Sequence, residues 1–156
     1  MNLDFIESII PKEYFQLSQS GTALERAQDL LRQCHPGHTH MQLLELDGEK
    51  GQAEMPLVQD TMALHGLMHG GVYFTVGDTI TALMCCFHLA NDRQRMVTGS
   101  ASIRYLRPVD SGKVSCEARL KRKEENRLFF ICDFKNEEGK RVAQAKYSYF
   151  LITLPD

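Results

Sequence analysis

The segment with the most chemical information runs from Leu67 to Asp78, LMHGGVYFTVGD. Gly70 and Gly71 stand where a loop gives way to an apolar run, and backbone N–H groups at the start of a helix can bind and polarise a carbonyl oxygen. His69, directly before them, could hydrogen-bond the same oxygen or orient the loop. The alternative for the glycines is a tight turn without a ligand. For His69 it is a loop residue packed on the sheet edge.

Asp78 lies inside an apolar run that extends from Val72 to Ala90. A carboxylate in such a setting is costly to desolvate unless it is paired or reaches a solvated cleft. Because carboxylates in apolar clefts commonly act as general bases, we favour a functional interpretation. Two structural alternatives remain. Asp78 caps the second half of a helix broken at Gly77, or it makes a structural hydrogen bond to a neighbouring backbone group.

The separation of these two features predicts an oligomer. Gly70 and Asp78 are eight residues apart, or ~12 Å along a helix, which is too far for one carbonyl to contact both. If both act on one substrate, the amide comes from one subunit and the carboxylate from another, with two central helices antiparallel across a two-fold axis. We therefore predict a homodimer or a dimer of dimers.

The elements that must position these residues are two kinds of helix and a set of strands. A capping box at Thr22 to Glu25 starts an amphipathic helix that ends before Pro36, and the first 17 residues are a candidate second helix. Alternating patterns predict a hairpin of 41–46 with 51–57 and four more strands after Asn91. The helix 71–88 is apolar almost all round, so a sheet should curl around it.

This pattern predicts an α+β fold, a curved antiparallel sheet of about six strands wrapped around one long helix. An N-terminal helical segment, 1–37, precedes the main part, 38–156, within a single domain. In the first strand after Asn91, strict alternation places Val97 and Ala101 on one face and Thr98 and Ser100 on the other.

Composition and motifs exclude several classes of function. With 18 Lys and Arg against 20 Asp and Glu, and no basic cluster beyond 121–123, nucleic-acid binding is not expected. The five cysteines lack C-x-x-C spacing and sit mostly among apolar neighbours, as in a reduced cytoplasmic protein. We expect no secretory signal, and the sequence contains no G-x-S-x-G elbow and no P-loop. Asp78 and His88 argue against a membrane span.

Histidine spacing raises the question of a metal. His65 and His69 are four residues apart, and three more histidines occur at 35, 38 and 40. However, Gly66 and Gly70 disrupt the helical geometry that such a pair needs, and no cysteine or carboxylate completes a ligand set. We predict no metal and no cofactor.

The order of elements, with His69-Gly70-Gly71 opening the apolar helix and Asp78 nine residues after the histidine, resembles the hotdog fold. More narrowly, residues 38–153 are similar to the phenylacetate-type acyl-coenzyme A thioesterases. The segment 103–108, IRYLRP, resembles the strand end that follows the family's substrate-lining position.

The resemblance implies that the Gly70 N–H holds the thioester carbonyl and that Asp78 of the opposite subunit is the nucleophile or general base. It also implies that Thr98 helps to place the attacking water. One departure is Ala63, where the family often has an Asn six residues before the histidine. His65 could supply the missing polar group.

Hydrolysis of an acyl thioester fits these parts, because a thiolate leaves readily and no cofactor is needed. The acyl group is expected in an apolar tunnel between subunits, and its candidate walls, each of which could equally be ordinary core, are Tyr73, Phe74, Met84 and Ile103. Candidate cations for the phosphates of coenzyme A are Arg104, Arg107 and Lys121. Two alternatives use the same fold: a non-catalytic acyl-CoA-binding protein, and an enoyl-CoA hydratase or dehydratase that pairs His69 with Asp78.

Overall fold

The computed structural model describes residues 3–155, without the side chains of residues 3–5. A six-stranded antiparallel sheet has the order β1-β2-β4-β5-β6-β3. Its strands are β1 (Gln42–Leu46), β2 (Lys50–Pro56), β3 (Gln94–Tyr105), β4 (Lys113–Glu124), β5 (Arg127–Lys135) and β6 (Arg141–Thr153). The predicted α+β hotdog architecture is confirmed. The outer limits of the predicted segments, residues 1 and 156, lie outside the described residues.

The central helix α3 spans Gly70–Cys85, and a short 3₁₀ helix, Cys86–His88, follows it. The stretch from Gly70 to His88 is long and apolar enough to cross a membrane, but the core helix of a globular protein meets the same criterion. Here α3 packs against all six strands. It is therefore the helix around which the sheet curls.

One side of α3 is left partly uncovered by the sheet. We call this side the open face; its residues recur three or four positions apart and are Gly71, Phe74, Thr75, Asp78, Thr79 and Ala82. On the covered side, β6 comes very close at Gly77, where a Cβ atom would overlap the ring of Tyr147. The helix continues through this glycine, so the alternative that Asp78 caps a second helix after a break is wrong.

The N-terminal helices are α1 (Leu3–Ile9) and α2 (Ala23–Arg32). The predicted capping box is present, since the Thr22 side chain accepts a hydrogen bond from the Glu25 N–H and the Glu25 carboxylate accepts one from the Thr22 N–H. The buried side chain of Gln28 donates to the Met41 carbonyl and accepts from the Leu43 N–H. These bonds fix α2 to the start of β1.

Strand β3 forms one edge of the sheet and contains a bulge at Gly99. Thr98 pairs with Tyr149, whereas Ser100 pairs with the next residue, Ser148, so Gly99 has no partner. The extra residue shifts the alternation and turns Thr98 toward α3. The prediction that Thr98 shares the outer face with Ser100 is therefore wrong.

Candidate active site

The loop 61–69 delivers the chain to the start of α3, and hydrogen bonds fix both of its ends. The buried Thr61 hydroxyl donates to the Pro56 carbonyl over 2.8 Å, and the Thr61 carbonyl accepts from the His69 N–H over 2.9 Å. The Met68 N–H donates to the Val109 carbonyl over 2.8 Å. The first turn of α3 therefore begins from a defined position.

His69 is the N-cap of α3. Its Nδ1 atom accepts a hydrogen bond from the Gly71 N–H over 2.9 Å. Because Nδ1 is the acceptor, a neutral His69 carries its proton on Nε2. The imidazole therefore orients the loop, one of its two predicted roles, and its Nε2–H is a further donor.

The Gly70 N–H has no acceptor among residues 3–155. It is one of the donors that the first turn of any helix leaves without an internal partner, and it lies at the positive end of the helix dipole. Neither Gly70 nor Gly71 has a positive φ; in this loop that conformation occurs at Gly66, where φ is +87°. Both glycines belong to the first turn of α3 rather than to a separate tight turn.

Tyr105, at the end of β3, explains why position 70 is a glycine. Its hydroxyl donates to the Gly70 carbonyl over 2.9 Å. A Cβ atom at Gly70 would lie 2.9 Å from the hydroxyl oxygen of Tyr105. The Tyr105 ring also contacts the Tyr73 ring edge-on, with 5.9 Å between centroids. This contact holds the end of β3 against the first turn of α3.

An open cleft of about 710 Å³ surrounds this turn. It brings together six of the residues predicted from the sequence: His65, His69, Gly70, Gly71, Tyr73 and Arg107. Ala63 lies in the same wall, together with an apolar group formed by Leu67, Leu106, Pro108 and Val109. The cleft can therefore hold an apolar or amphipathic ligand beside the free Gly70 amide.

Asp78 lies two turns further along α3, and hydrogen bonds define the position of its carboxylate. Oδ1 accepts from the Tyr149 hydroxyl over 2.7 Å and from the Thr98 hydroxyl over 3.2 Å. Oδ2 has no partner among the described residues. One oxygen is thus held within the chain while the other is free to accept a proton. The structural alternative is a hydrogen bond between the Asp78 side chain and a neighbouring backbone group, and no such bond occurs within residues 3–155.

Tyr149 is buried between α3 and the sheet, with 1% of its surface exposed. Its hydroxyl oxygen also lies 2.8 Å from the Thr81 hydroxyl. Burial, with a further contribution from the charge of Asp78, raises the pKa of Tyr149 far above its ordinary value. Tyr149 therefore stays protonated at neutral pH and donates to Asp78, whose Oδ1 lies 2.7 Å and whose main-chain carbonyl oxygen lies 2.9 Å from the hydroxyl.

The single chain leaves four predicted site residues outside the cleft: Asp78, Thr98, Phe74 and Arg104. Phe74 is 41% exposed and lies on the open face of α3, one turn before Asp78. Arg104 is exposed on β3 and makes no ion pair within residues 3–155. The donor end and the carboxylate end of the predicted site are therefore separate surfaces of one protomer.

The candidate tunnel walls differ in exposure. Met84 is completely buried and Tyr73 is 3% exposed, so both are mainly core residues, and Ile103 packs against the same core. Burial raises the pKa of Tyr73 to about 12. Of the four, only Phe74 offers a large exposed surface.

The candidate phosphate-binding cations lie on different surfaces of the protein. Arg107 lines the cleft, where it donates to the Arg141 carbonyl over 2.6 Å. Lys121 lies on the outer face of the sheet, away from α3. Arg107 is thus the one of the three that borders the Gly70 amide.

The described residues group no three His, Cys, Asp or Glu side chains as metal ligands. All five cysteines are free thiols. Burial raises the pKa of Cys86 to about 11 and that of Cys85 further, so neither supplies a thiolate nucleophile at neutral pH. The predicted cytoplasmic location stays a prediction.

Sequence reasoning missed two tyrosines of this site, Tyr105 and Tyr149. A usable signal exists for Tyr149, because Tyr147 and Tyr149 are two residues apart in an apolar strand and so share its inner face. Buried tyrosine hydroxyls require acceptors, and Asp78 is the one carboxylate in the apolar helix. Alternation in β3 likewise places Tyr105 on the face of Ala101 and Ile103, but it does not indicate the contact with Gly70.

Comparisons with known proteins place the chain in a family. The family described as the thioesterase superfamily matches residues 65–143. An esterase-named relative from Haemophilus influenzae is 27% identical over 132 residues, which cover 84% of this chain and 94% of the relative. The chain belongs to the thioesterase superfamily, which confirms the predicted class of thioester hydrolases.

Solved structures of thioesterases share the fold of this chain. A thioesterase from Haemophilus influenzae superposes with a TM-score of 0.78 at 26% identity, covering 90% of this chain and 98% of that one. A mutant thioesterase from Pseudomonas aeruginosa superposes with a TM-score of 0.80 at 19% identity, covering 89% and 100%. A hypothetical thioesterase from Streptococcus pneumoniae, solved with coenzyme A, has a TM-score of 0.64 at 20% identity, covering 74% of this chain and 88% of that one. The last two support the fold.

Proposed function

We propose that this protein hydrolyses acyl-CoA thioesters at a site formed by two subunits, as a phenylacetate-type thioesterase. One observation carries the proposal. The unpartnered Gly70 N–H and the half-free carboxylate of Asp78 lie two turns apart on one uninterrupted helix. Each is one half of a hydrolytic site, and a second antiparallel α3 can bring the missing half to each.

Two surfaces support a dimer of this kind. The open face of α3 carries Phe74 and Asp78 and is only partly covered by the sheet. Beside it, β3 is a twelve-residue edge strand without proline, and such an edge is available for pairing with another chain. Pairing of two β3 strands across a two-fold axis would set the open faces side by side. A dimer of dimers would extend the same arrangement.

In the proposed reaction, the Gly70 N–H of one subunit donates to the thioester oxygen as negative charge develops on it. Asp78 of the other subunit removes a proton from water through Oδ2, and the water oxygen bonds to the carbonyl carbon. The carbon–sulfur bond then breaks, the sulfur takes a proton, and the products are a free acid and coenzyme A. Thr98 and Tyr149 hold Oδ1 throughout. Direct attack by Asp78 remains the alternative first step.

Coenzyme A as the thiol is supported by the cleft itself and by one relative. The cleft joins an apolar wall to Arg107, which suits a long amphipathic chain that ends in phosphates. The hypothetical thioesterase from Streptococcus pneumoniae was solved with coenzyme A. We propose that Arg104 and Arg107 bind the phosphates, while Phe74 contacts the acyl group.

The test is thiol release from a panel of aromatic and aliphatic acyl-CoAs by the wild-type protein and by Asp78→Asn. A matched control is Asp110→Asn, because Asp110 is an exposed carboxylate in the loop before β4. We expect turnover of at least one acyl-CoA and a loss of about 10²- to 10⁴-fold in Asp78→Asn alone. Equal rates for the wild type and Asp78→Asn would contradict the mechanism.

The same panel separates the two alternatives. Saturable acyl-CoA binding without thiol release would favour a non-catalytic binding protein. Loss of enoyl absorbance without free thiol would favour a hydratase that pairs His69 with Asp78. Rapid quenching of a single turnover distinguishes the two first steps, because attack by Asp78 would leave the acyl group bonded to the protein as a mixed anhydride and general-base catalysis would not.

A further inference from the structure

The outer face of the sheet, opposite α3, contains a second depression that the proposed reaction does not use. Its volume is about 580 Å³. Its polar floor is the pair Ser100 and Ser148, whose hydroxyl oxygens lie 2.8 Å apart. Ser148 is 3% exposed. We call this depression the outer groove.

The walls of the outer groove are cationic, and no Asp or Glu side chain lines it. Lys121, Arg122 and Lys146 border it. Lys121 and Lys146 have no partner among the described residues, whereas Arg122 is paired with Glu124 at 2.8 Å. The whole chain has a formal charge of −2, so two unpaired lysines make the groove more positive than the chain as a whole.

Strand register explains why these groups converge. Ser100 pairs with Ser148, Ser148 with Phe129, and Phe129 with Arg122, so the four side chains form one row across the sheet. A bulge between Leu120 and Arg122 inserts Lys121 into β4, and the next row contributes Lys146. The bulge therefore adds a cation to a row that already has one.

One cation of the groove is held in place. The Arg122 guanidinium lies over the Phe129 ring, 3.9 Å from its centroid, and donates to Glu124. Its orientation is therefore set before any ligand binds. The two lysines are flexible and have no acidic partner among the described residues, so they are the groups that a ligand would recruit.

We propose that the outer groove is a phosphate-binding site that takes the phosphate ester of a nucleotide. Serine hydroxyls donate to phosphate oxygens, ammonium groups neutralise their charge, and the absence of a lining carboxylate removes the repulsion that would exclude a dianion. Coenzyme A and free nucleotides share this chemistry. The proposal does not rest on thioester hydrolysis, because the groove and the cleft lie on opposite faces of the sheet.

The experiment is calorimetric titration of the full chain with adenosine 3′,5′-bisphosphate at low ionic strength, using wild type and Lys121→Gln/Lys146→Gln. The matched control is Lys12→Gln/Lys140→Gln, which removes the same charge from exposed sites elsewhere. We expect the bisphosphate to bind wild type and the control equally and the groove variant about tenfold more weakly. Adenosine, which lacks phosphate, should not bind.

Two further titrations identify the source of the phosphate. If Kd for coenzyme A rises in the groove variant while Kd for dephospho-coenzyme A does not, the ligand is the 3′-phosphate of coenzyme A. If Kd rises for AMP and not for coenzyme A, the ligand is a free nucleotide. The proposal is overturned if the groove variant and the control bind the bisphosphate equally, or if the groove variant changes only the oligomeric state.

Discussion

The hydroxyl of Tyr149 donates a hydrogen bond to Oδ1 of Asp78 across 2.7 Å, and so links the last strand of the sheet to the middle of the central helix. The donor is buried and stays protonated, while the acceptor lies on the open face of α3. The bond fixes the rotation of the carboxylate and leaves Oδ2 free. Tyr149 is therefore a positioning residue for the proposed base.

Removing this bond should lower the rate without abolishing it. In Tyr149→Phe the carboxylate keeps its Thr98 contact but loses its fixed orientation, so we expect kcat to fall about tenfold with KM nearly unchanged. Tyr14→Phe is the control, because Tyr14 is 77% exposed. Steady-state thiol release measures both variants. A rise in KM at constant kcat would instead indicate that Tyr149 shapes substrate binding.

The donor role of Gly70 can be separated from its size. Proline is tolerated at the first position of a helix, and His69, at φ −67° and ψ 134°, already has the conformation that a following proline requires. Gly70→Pro and Gly70→Ala both add a Cβ atom near Tyr105. Gly70→Pro also deletes the N–H, whereas Gly70→Ala keeps the N–H. We expect Gly70→Pro to be about 10²- to 10³-fold slower than Gly70→Ala. Similar rates for the two would remove Gly70 from the mechanism.

Tyr105 should act on the same amide indirectly. Tyr105→Phe deletes the hydrogen bond to the Gly70 carbonyl but keeps the edge contact with Tyr73. We expect kcat to drop severalfold, because the first turn of α3 is less firmly held, and the free energy of unfolding to fall by about 1 kcal/mol. Thiol release and urea unfolding check this. Loss of stability with full kcat would leave Tyr105 a purely structural role.

Stability should decline at alkaline pH because of the buried tyrosines. Burial raises the pKa of Tyr147 and Tyr149 far above their ordinary value, whereas in the unfolded chain a tyrosine ionises at about pH 10. Above that pH the unfolded state binds fewer protons than the folded state, so the free energy of unfolding falls as pH rises.

Each such tyrosine contributes a slope of up to about 1.4 kcal/mol per pH unit. Tyr149→Phe should therefore show a shallower decline than wild type in urea unfolding between pH 9 and about pH 11. Tyr14→Phe should follow the wild type. An unchanged slope in Tyr149→Phe would show that Tyr149 does not keep its proton in the folded protein.

Much of this architecture is predictable from local pattern. The capping box at Thr22, the alternation of β4 to β6 and the all-apolar helix each specify an element through nearest-neighbour chemistry, and each is present. The position of Asp78 in an apolar helix was likewise sufficient to predict that its carboxylate needs a partner. Local rules succeed where the deciding contacts lie within a few residues.

The sequence predictions fail where the position of a residue depends on contacts with a strand that is distant in the chain. A bulge at Gly99 depends on pairing between β3 and β6, so alternation alone places Thr98 on the wrong face. Tyr105 and Gly70 are separated by 35 positions in the chain, and only the folded sheet brings them together. Gly70 is a glycine because a neighbour is close, a cause that its own sequence context does not contain.

The proposed active site takes its amide from one subunit and its carboxylate from another. The most direct test unfolds Gly70→Pro and Asp78→Asn together and refolds them as a mixture. Each variant alone should be nearly inactive, but a mixed dimer contains one site with both native groups, so random reassociation should restore about a quarter of wild-type activity. A mixture no more active than the separately refolded parents would contradict a shared site.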